Sequence, residues 1–327
     1  MVNILTVCLI RGLIMLFFNY KSSLAAIYKL YVLNCLLMII TCGIYYPWAV
    51  NRVRKYFLEC LSIQNLNLQY SGKGSDIFKG ALVVCLVYVL PIAAIAYYSF
   101  ISRSLEGLQG SLRSVRDYVD LFMWFFLSGF IYYTSNQYRF SRIQISNTHL
   151  YLKGSAWKYN LLAFKRLLIN IISFGWMVPK SDLMKASYFY ENLQAAENQV
   201  SFKVENHSLF KIHIITMLLA IPTIGLSRIW YYAKLKQLIF NSLYINNNKI
   251  TASFTPTGFA AIVIIGAALS LITVGILYPL FKDTLYRYLA GNIFIDDNFN
   301  FNTSNNDLAH VGIELLDNLL YPEITFY

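Results

Sequence analysis

The chain has 327 residues, of which 57% are hydrophobic, 17% aromatic and only 13% charged. Soluble globular proteins carry roughly 25% charged residues, so this composition excludes an ordinary soluble fold and indicates a membrane protein. The formal net charge is +11. In so hydrophobic a chain, a basic balance is more typical of membrane topology than of nucleic-acid binding, and no nucleic-acid partner is expected.

The first eighteen residues are apolar but are interrupted by Arg11. A full crossing here would place Arg11 near the bilayer centre, at a cost of about 2.5–3.5 kcal/mol. We therefore expect residues 1–23 to form an N-terminal arm with a helix that lies along the membrane surface. A seventh crossing is the alternative, and a cleaved signal peptide is disfavoured because the segment lacks a basic start and a small-residue cleavage site.

Uncharged apolar stretches follow at 30–50, 80–101 and 259–281, each long enough for the roughly 20 residues that cross a bilayer as a helix. Shorter stretches lie at 121–134, 161–178 and 212–226. Together they predict a mainly α-helical, polytopic membrane protein with about six transmembrane helices. The predicted transmembrane domain covers residues 24–281, and an acidic C-terminal hairpin and tail cover 282–327. If 161–178 and 212–226 dip into the membrane and return, four crossings remain.

Glycines recur at the ends of the apolar stretches, and the last three are spaced by fifty residues. A proline follows three of these glycines after four residues, where it favours a helix break. This spacing predicts an internal repeat in which each glycine marks the end of a membrane helix. The residues assigned to the repeat, with a looser copy at Gly129, are Gly43, Pro47, Gly129, Gly175, Pro179, Gly225, Gly275 and Pro279.

Polar turns follow these glycines at a constant distance of twenty-two residues, at Asn65, Glu197, Asn247 and Asp297. The flanking residues alternate between apolar and polar, which predicts a short β-hairpin at each turn. An aromatic and basic stretch between glycine and turn is expected at the membrane interface. Because each unit would cross once, consecutive units are predicted to point in opposite directions, as in the inverted repeats of transporters.

Residues 41–57 read TCGIYYPWAVNRVRKYF, and this segment resembles the Gly-Ile-Tyr-x-Pro-Trp-Ala signature of the YjgN-like family of bacterial inner-membrane proteins. Tyr70-Ser71-Gly72 and the acidic segment 311–317 are similar to further patterns of that family. The resemblance covers residues 24–320, but the N-terminal arm, the missing proline after Gly129 and the unit around Gly175 depart from it. The family is a domain of unknown function, so the resemblance implies a multipass inner-membrane location and no substrate.

Candidate ligand-binding residues are basic side chains on the predicted cytoplasmic side, together with two polar residues inside apolar helices. The basic residues are expected to contact anionic lipids, and related repeats would gather them around one axis to bind an anionic group. His213 is an ionisable residue in a short apolar helix, and an amide such as Asn170 either joins helices or lines a cavity. The candidates are Arg52, Arg54, Arg139, Arg142, Arg228, Lys234, His213 and Asn170.

Two functions stay open at this point. The first is a protein that binds or transports a small or lipid-like, anionic ligand between inverted repeats. The second is a non-transporting membrane scaffold whose hairpins contact partners. The sequence contains no nucleophile and base pair, P-loop, dinucleotide motif or metal-ligand spacing, and its five cysteines include no C-x-x-C pair. No catalytic residue, metal or cofactor is therefore predicted, and an enzyme is not expected.

Overall fold

A computed structural model of the chain describes residues 16–63, 66–90, 93–94, 97, 128–145, 148–195, 198–204, 209–245 and 248–295. Most of the described residues are helical, as the sequence predicts. Residues 1–15 of the predicted arm, the predicted turn residues Asn65, Glu197, Asn247 and Asp297, and the tail from residue 296 lie outside them. The elements recur in a fixed order of strand, helix, helix and strand.

Gly43, Gly175, Gly225 and Gly275 each lie at the tip of a helical hairpin, between a first helix and a second helix that packs against it. The first hairpin consists of α1 (Leu24–Ile40) and α2 (Tyr46–Glu59). The corresponding places in the second are held by α3 (Gly74–Val84), which continues as a π-helical turn at Cys85–Val89, and by α4 at 128–140. The other hairpins are α5 (Ala156–Ile172) with α6 (Val178–Glu191), α7 (Leu209–Leu218) with α8 (Ser227–Asn241), and α9 (Pro256–Ile272) with α10 (Tyr278–Ala290).

The aromatic and basic stretch after each glycine is therefore a helix of 13 to 15 residues, and not an irregular interfacial segment. Pro47, Pro179 and Pro279 lie in the first turn of this second helix. Proline is well suited to that position because the first backbone N–H groups of a helix have no intrahelical partner. The helix break that the sequence predicts is present at these tips, and the prolines lie on its far side, where they begin the second helix.

Two consecutive residues with positive φ reverse the chain at each tip. In the last hairpin they are Val274 (φ 50°) and Gly275 (φ 87°). The Gly275 N–H donates to the Ser270 carbonyl at 2.7 Å and the Val274 N–H donates to the Leu271 carbonyl at 3.1 Å, which is the hydrogen-bond pattern of a Schellman motif. The other tips have the same pair of angles, at Cys42 and Gly43, Phe174 and Gly175, and Ile224 and Gly225.

A hydroxyl side chain joins the two helices of each of these hairpins. Thr273 donates its hydroxyl to the Leu269 carbonyl at 2.7 Å and accepts the Leu277 N–H at 3.2 Å. One side chain thereby bonds a carbonyl in the last turn of the first helix, which also accepts the Thr273 N–H, and an N–H at the start of the second helix. Thr41, Ser173 and Thr223 accept an N–H in the same way.

Gly129 does not belong to this set, although the sequence places it there. It lies within α4 and is absent from the described residues that have positive φ. A Cβ atom added to Gly129 would lie 2.7 Å from the Asn160 side-chain oxygen and 3.1 Å from the Asn160 Cα. Its small size therefore allows α4 and α5 to approach closely, and the assignment of Gly129 to the repeat was wrong.

The strands of the described residues form one sheet in which every pair is antiparallel. They are β1 (Leu16–Tyr20), β2 (Leu61–Ile63), β3 (Leu66–Asn67), β4 (Gln69–Tyr70), β5 (Ile143–Ile145), β6 (Thr148–Leu152), β7 (Leu193–Ala195), β8 (Asn198–Phe202), β9 (Leu243–Ile245), β10 (Asn248–Ala252) and β11 (Ile293–Ile295). Their order is β3-β2-β1-β11-β10-β9-β8-β7-β6-β5-β4. Since β3 and β4 are separated only by Leu68, the two ends of this order meet, and the sheet closes into a ring.

All helical hairpins leave the ring from the same edge. The strands that precede the first helices alternate in the ring with those that follow the second helices, and neighbours are antiparallel. Strands β1, β4, β6, β8 and β10 therefore run in one direction, and each leads into the first helix of a hairpin. The predicted alternation of direction is wrong, because each apolar helix is followed by a helix that returns to the sheet.

The predicted domain boundaries at residues 23 and 281 do not separate structural units. β1, which belongs to the predicted N-terminal arm, pairs with β2 and with β11. Residue 281 lies inside α10, which packs against α1. The ring is thus closed by segments from near both ends of the chain, and residues 16–23 and 282–295 belong to the same fold as the rest.

The hairpin tips are apolar and exposed. Ile224 is 93% exposed and Val274 is 92% exposed, and the residues beside them in the tips are similar. No charged residue occurs in the tip segments 30–51, 167–179, 212–227 and 256–281. Among the described residues, however, no helix combines the length and the hydrophobicity that a membrane crossing requires.

Candidate functional site

The structure brings His213 and Arg228 together with the tip of the preceding hairpin. His213 lies in α7, is 2% exposed, and holds its Nε2 3.0 Å from the Gly175 carbonyl oxygen. Its Nδ1 lies 3.1 Å from Nη1 of Arg228 in α8. These three residues thus join the third and fourth hairpins, and we call this contact the seam. The two hairpins are those of Gly175 and Gly225, whose apolar stretches are among the shortest in the sequence.

The partners of His213 determine its tautomer. A carbonyl oxygen only accepts hydrogen bonds and a guanidinium only donates them, so Nε2 carries the proton and Nδ1 accepts from Arg228. Burial, and then the neighbouring Arg228 cation, lower the pKa of His213 below its ordinary value of 6.5. His213 is therefore a neutral hydrogen-bonding bridge, and protonation would place an N–H against the guanidinium.

An ion pair lies beside this bridge on the inner side of α8. Asp182 of α6 accepts from Arg166 of α5 at 3.0 Å and from the Tyr231 hydroxyl of α8 at 2.9 Å. The Arg228 guanidinium lies over the Tyr231 ring, 4.7 Å from its centroid, and the His213 ring meets the same ring edge-on. The two groups of contacts are continuous through Tyr231, whose pKa is raised by burial and by the Asp182 carboxylate.

Two of the predicted basic residues, Arg54 and Arg139, are buried inside the ring of hairpins. Arg54 is 8% exposed, and its Nη1 lies 3.4 Å from the Tyr70 hydroxyl. Arg139 is 2% exposed and donates to the side-chain oxygen of Asn136. Such burial of a cation is unusual, because the charged form is costly to remove from water unless it is paired.

The remaining predicted residues lie apart from the seam and from the interior. Arg52 is exposed and lies over the Tyr45 ring, and Lys234 donates to Gln237 at 2.8 Å. Arg142 lies 3.5 Å from Asp76, near the sheet. Asn170 lines a small cavity of about 60 Å³ between α4 and α5, where its buried side-chain oxygen has no hydrogen-bond partner among the described residues.

Several polar residues of these clusters were absent from the sequence-based candidates. Asp182 and Tyr231 complete the seam, and Lys236 lies in the interior. Asp283 is 3% exposed and binds Tyr20 at 2.7 Å and Arg287 at 3.1 Å, which joins α10 to β1. The available signal was an acidic residue within an otherwise apolar or basic helix, a pattern typical of a buried partner for a cation.

Metal and disulfide chemistry find no support in the described part of the chain. It contains no cluster of three or more His, Cys, Asp or Glu side chains that would hold a metal ion. Cys35, Cys42, Cys60 and Cys85 are free thiols. Burial raises the pKa of the Cys60 thiol, which disfavours the reactive thiolate at that position.

Comparison with known proteins places this architecture in a family. The sequence profile of a family described as "Bacterial protein of unknown function (DUF898)" matches residues 15–227. The chain belongs to this family. The DUF898 match begins just before β1 and ends at the first residue of α8. It therefore includes the seam residues Gly175 and His213 but stops before Arg228.

A curated relative is the inner membrane protein YjgN of Salmonella typhimurium (strain LT2). It is 32% identical to this DUF898 protein over 66 residues, which are 20% of this chain and 17% of the relative. The matched part of this chain thus spans about one sixth of the relative's length. No solved structure matches the chain.

Proposed function

We propose that this protein is an inner-membrane protein whose helical hairpins enter the bilayer from one side, tips first, and that it binds a small or lipid-like anionic ligand among them. The observation that carries the membrane part is the uncharged, exposed surface of the tips. Burying one large aliphatic side chain stabilises by about 1.5–3 kcal/mol, and each tip presents several. The name of the relative, an inner membrane protein, agrees with this location.

The length of the hairpins favours entry and return over a complete crossing. Three of the first helices, α1, α5 and α9, have 17 residues, which corresponds to about 25 Å at 1.5 Å per residue, against about 30 Å of hydrocarbon. Both helices of a hairpin meet the sheet at the same edge, so the sheet would remain outside the hydrocarbon. Charged residues, absent from the tips, would then lie toward the headgroups and the solvent.

The ligand part of the proposal is supported by polar groups placed between hairpins. His213 and Arg228 join two hairpins at their seam, and Arg228 also contacts Tyr231. Fully apolar packing would be the simpler way to join helices, since a buried charge network gives little stability by itself. A cation held between hairpins instead provides a contact for the negatively charged group of a ligand.

The native Cys42 at the first tip offers a direct test of insertion. A protein that retains Cys42 alone, with Cys8, Cys35, Cys60 and Cys85 replaced by Ala, is labelled with a fluorophore and reconstituted into vesicles. We expect acyl-brominated lipid, and not aqueous iodide, to quench this label. A matched label at Ser253→Cys, which is exposed between β10 and α9, is expected to respond only to iodide.

Other results separate the remaining possibilities. If iodide quenches Cys42 as readily as Ser253→Cys, the tips lie in water and the proposal is wrong. Iodide can also be added on the side of the membrane opposite the sheet. If it then quenches the label at Cys42 but not the label at Ser253→Cys, the hairpins cross completely and the protein is multipass. An inserted protein that binds neither anionic lipid nor free anions would favour the alternative function, a membrane scaffold.

A further inference from the structure

The second helices of the hairpins share one register relative to the sheet. The strands that follow them begin at residues 61, 143, 193, 243 and 293. We call the residue seven positions before each of these strands its inner-set residue. The residue four positions before each strand is its second-set residue. The inner set is Arg54, Asn136, Ala186, Lys236 and Tyr286.

One contact between hairpins and one contact within a single helix join members of the two sets. Tyr286 of the inner set stacks on Phe57, the second-set residue of the neighbouring hairpin, with ring centroids 4.4 Å apart. The second-set residue of the α4 hairpin is Arg139, which donates to Asn136 of the inner set. The interior therefore has an aromatic wall on one side and cations elsewhere.

Within the described part of the chain, two of the interior cations have no acidic partner in hydrogen-bond reach. Among the described residues, Arg139 donates only to the Asn136 amide, and its Nε has no acceptor. Lys236 makes no hydrogen bond or ion pair with any described residue. The pKa of Lys236 is lowered to about 8, chiefly by removal of the ammonium from water; Asp182 opposes this shift and the Arg139 cation adds to it.

Two like charges enclosed together are unfavourable unless an anion joins them. Removing each charge from water costs several kcal/mol, and the mutual repulsion adds to this. A planar guanidinium and an ammonium are together the groups that proteins use to bind phosphate oxygens. The vacant Nε donor of Arg139 and the ammonium of Lys236 are suitable donors for such a group.

We propose that Arg139 and Lys236, with Arg54 at the corresponding position of the first hairpin, form a binding site for a phosphate-type oxyanion inside the ring of hairpins. This site is separate from the seam contact at Arg228 and adds a second position for an anionic group, and it rests on the proposed function for the class of ligand. The oxyanion is either the headgroup phosphate of a lipid or free phosphate, since both present the same oxygens.

Binding is measured on the full chain in a neutral detergent, by calorimetric titration and by the shift of the melting temperature. The probes are inorganic phosphate, micelles of a phosphatidylglycerol, and zwitterionic phosphatidylcholine as the lipid control. We expect saturable binding of phosphate, of the anionic lipid or of both. Which of the two probes binds shows whether the oxyanion is a lipid headgroup or free phosphate. Equal melting temperatures in phosphate, phosphatidylglycerol and chloride would overturn the proposal.

A pair of variants on one helix locates the site. Lys236→Met is expected to weaken binding at least tenfold, and Lys234→Met, two residues away and bonded to Gln237, is expected to leave it unchanged. Without any anion, Lys236→Met is expected to melt at or above the temperature of the unchanged protein, because a partly buried like charge has been removed. Equal loss of binding in both variants would refute the assignment of the site.

These measurements need no membrane, so they are independent of the test of insertion. A protein whose Cys42 label stays in water but that binds phosphate through Lys236 would retain this site and lose the proposed membrane arrangement. An inserted protein whose binding is unaffected by Lys236→Met would lose this site and retain the membrane arrangement.

Discussion

Replacement of Val274 by Gly is expected to stabilise the protein, although it removes a large apolar side chain. Val274 has φ 50°, a left-handed conformation that costs an L-residue about 1–2 kcal/mol and is especially unfavourable for a β-branched one. The side chain is 92% exposed, so little packing is lost. Glycine removes the strain but adds about 0.5–1 kcal/mol of backbone entropy to the unfolded state. The expected net gain is about 0.5–1 kcal/mol.

The measurement is thermal unfolding in a neutral detergent, followed by tryptophan fluorescence. A gain of this size corresponds to an increase of about 1–3 °C in the melting temperature of a chain this long. The matched control is Ile272→Gly, two residues earlier, which is 77% exposed but lies at the helical end of α9. This control is expected to lower the melting temperature, since glycine costs about 1 kcal/mol within a helix. A decrease of similar size in both variants would refute the reasoning.

The remaining predictions concern the seam and one helix contact. Because the pKa of His213 is lowered in the fold, the unfolded chain binds more protons below pH 6.5, so the free energy of unfolding decreases as the pH falls from that value. Equilibrium unfolding at a series of pH values should show this decrease, and His213→Gln, which preserves a donor and an acceptor, should reduce it. Asp182→Asn is expected to destabilise by about 3 kcal/mol in denaturant unfolding, and Arg166→Met added to it should recover part of the loss. Gly129→Val is expected to lower the melting temperature by separating α4 from α5, whereas Gly80→Val, with no atom within 4 Å of an added Cβ, has a much smaller effect.

The sequence predicted the positions of the tips and strands along the chain better than the direction in which the helices run. The four glycines with positive φ lie where the spacing placed them, and so do the strands on both sides of the predicted turns at Asn65, Glu197 and Asn247. Apart from α4, which the apolar stretch 121–134 overlaps, hydropathy did not reveal the second helices of the hairpins, because their buried faces carry polar residues such as Asn51 and Asp283. A helix that packs inside a ring of other helices needs no continuous apolar stretch. Searches for membrane helices therefore interpret it as a loop.

The seam shows the same limit for individual residues. His213 was recognisable because an ionisable residue in an apolar helix is unusual, and Arg228 because basic residues cluster after Gly225. Their meeting with Gly175 depends on two hairpins being neighbours in the ring, which no local pattern encodes. Asp182 lies in a segment of mixed charge, where an acidic residue is unremarkable until α5 and α8 place Arg166 and Tyr231 against it.

The closure of the sheet explains why the polar interior persists in so hydrophobic a protein. β1 and β11, from near opposite ends of the described chain, pair with each other, and Tyr20 of β1 binds the buried Asp283 of α10. The Asp283 carboxylate also accepts from Ser22, so the acid is satisfied only when β1 is in place. An apolar contact at this position would tolerate a shifted register, whereas a buried acid with fixed donors does not. Polar contacts at the closure and at the seam therefore define how the hairpins are arranged, while the apolar surface at the tips is available to the membrane.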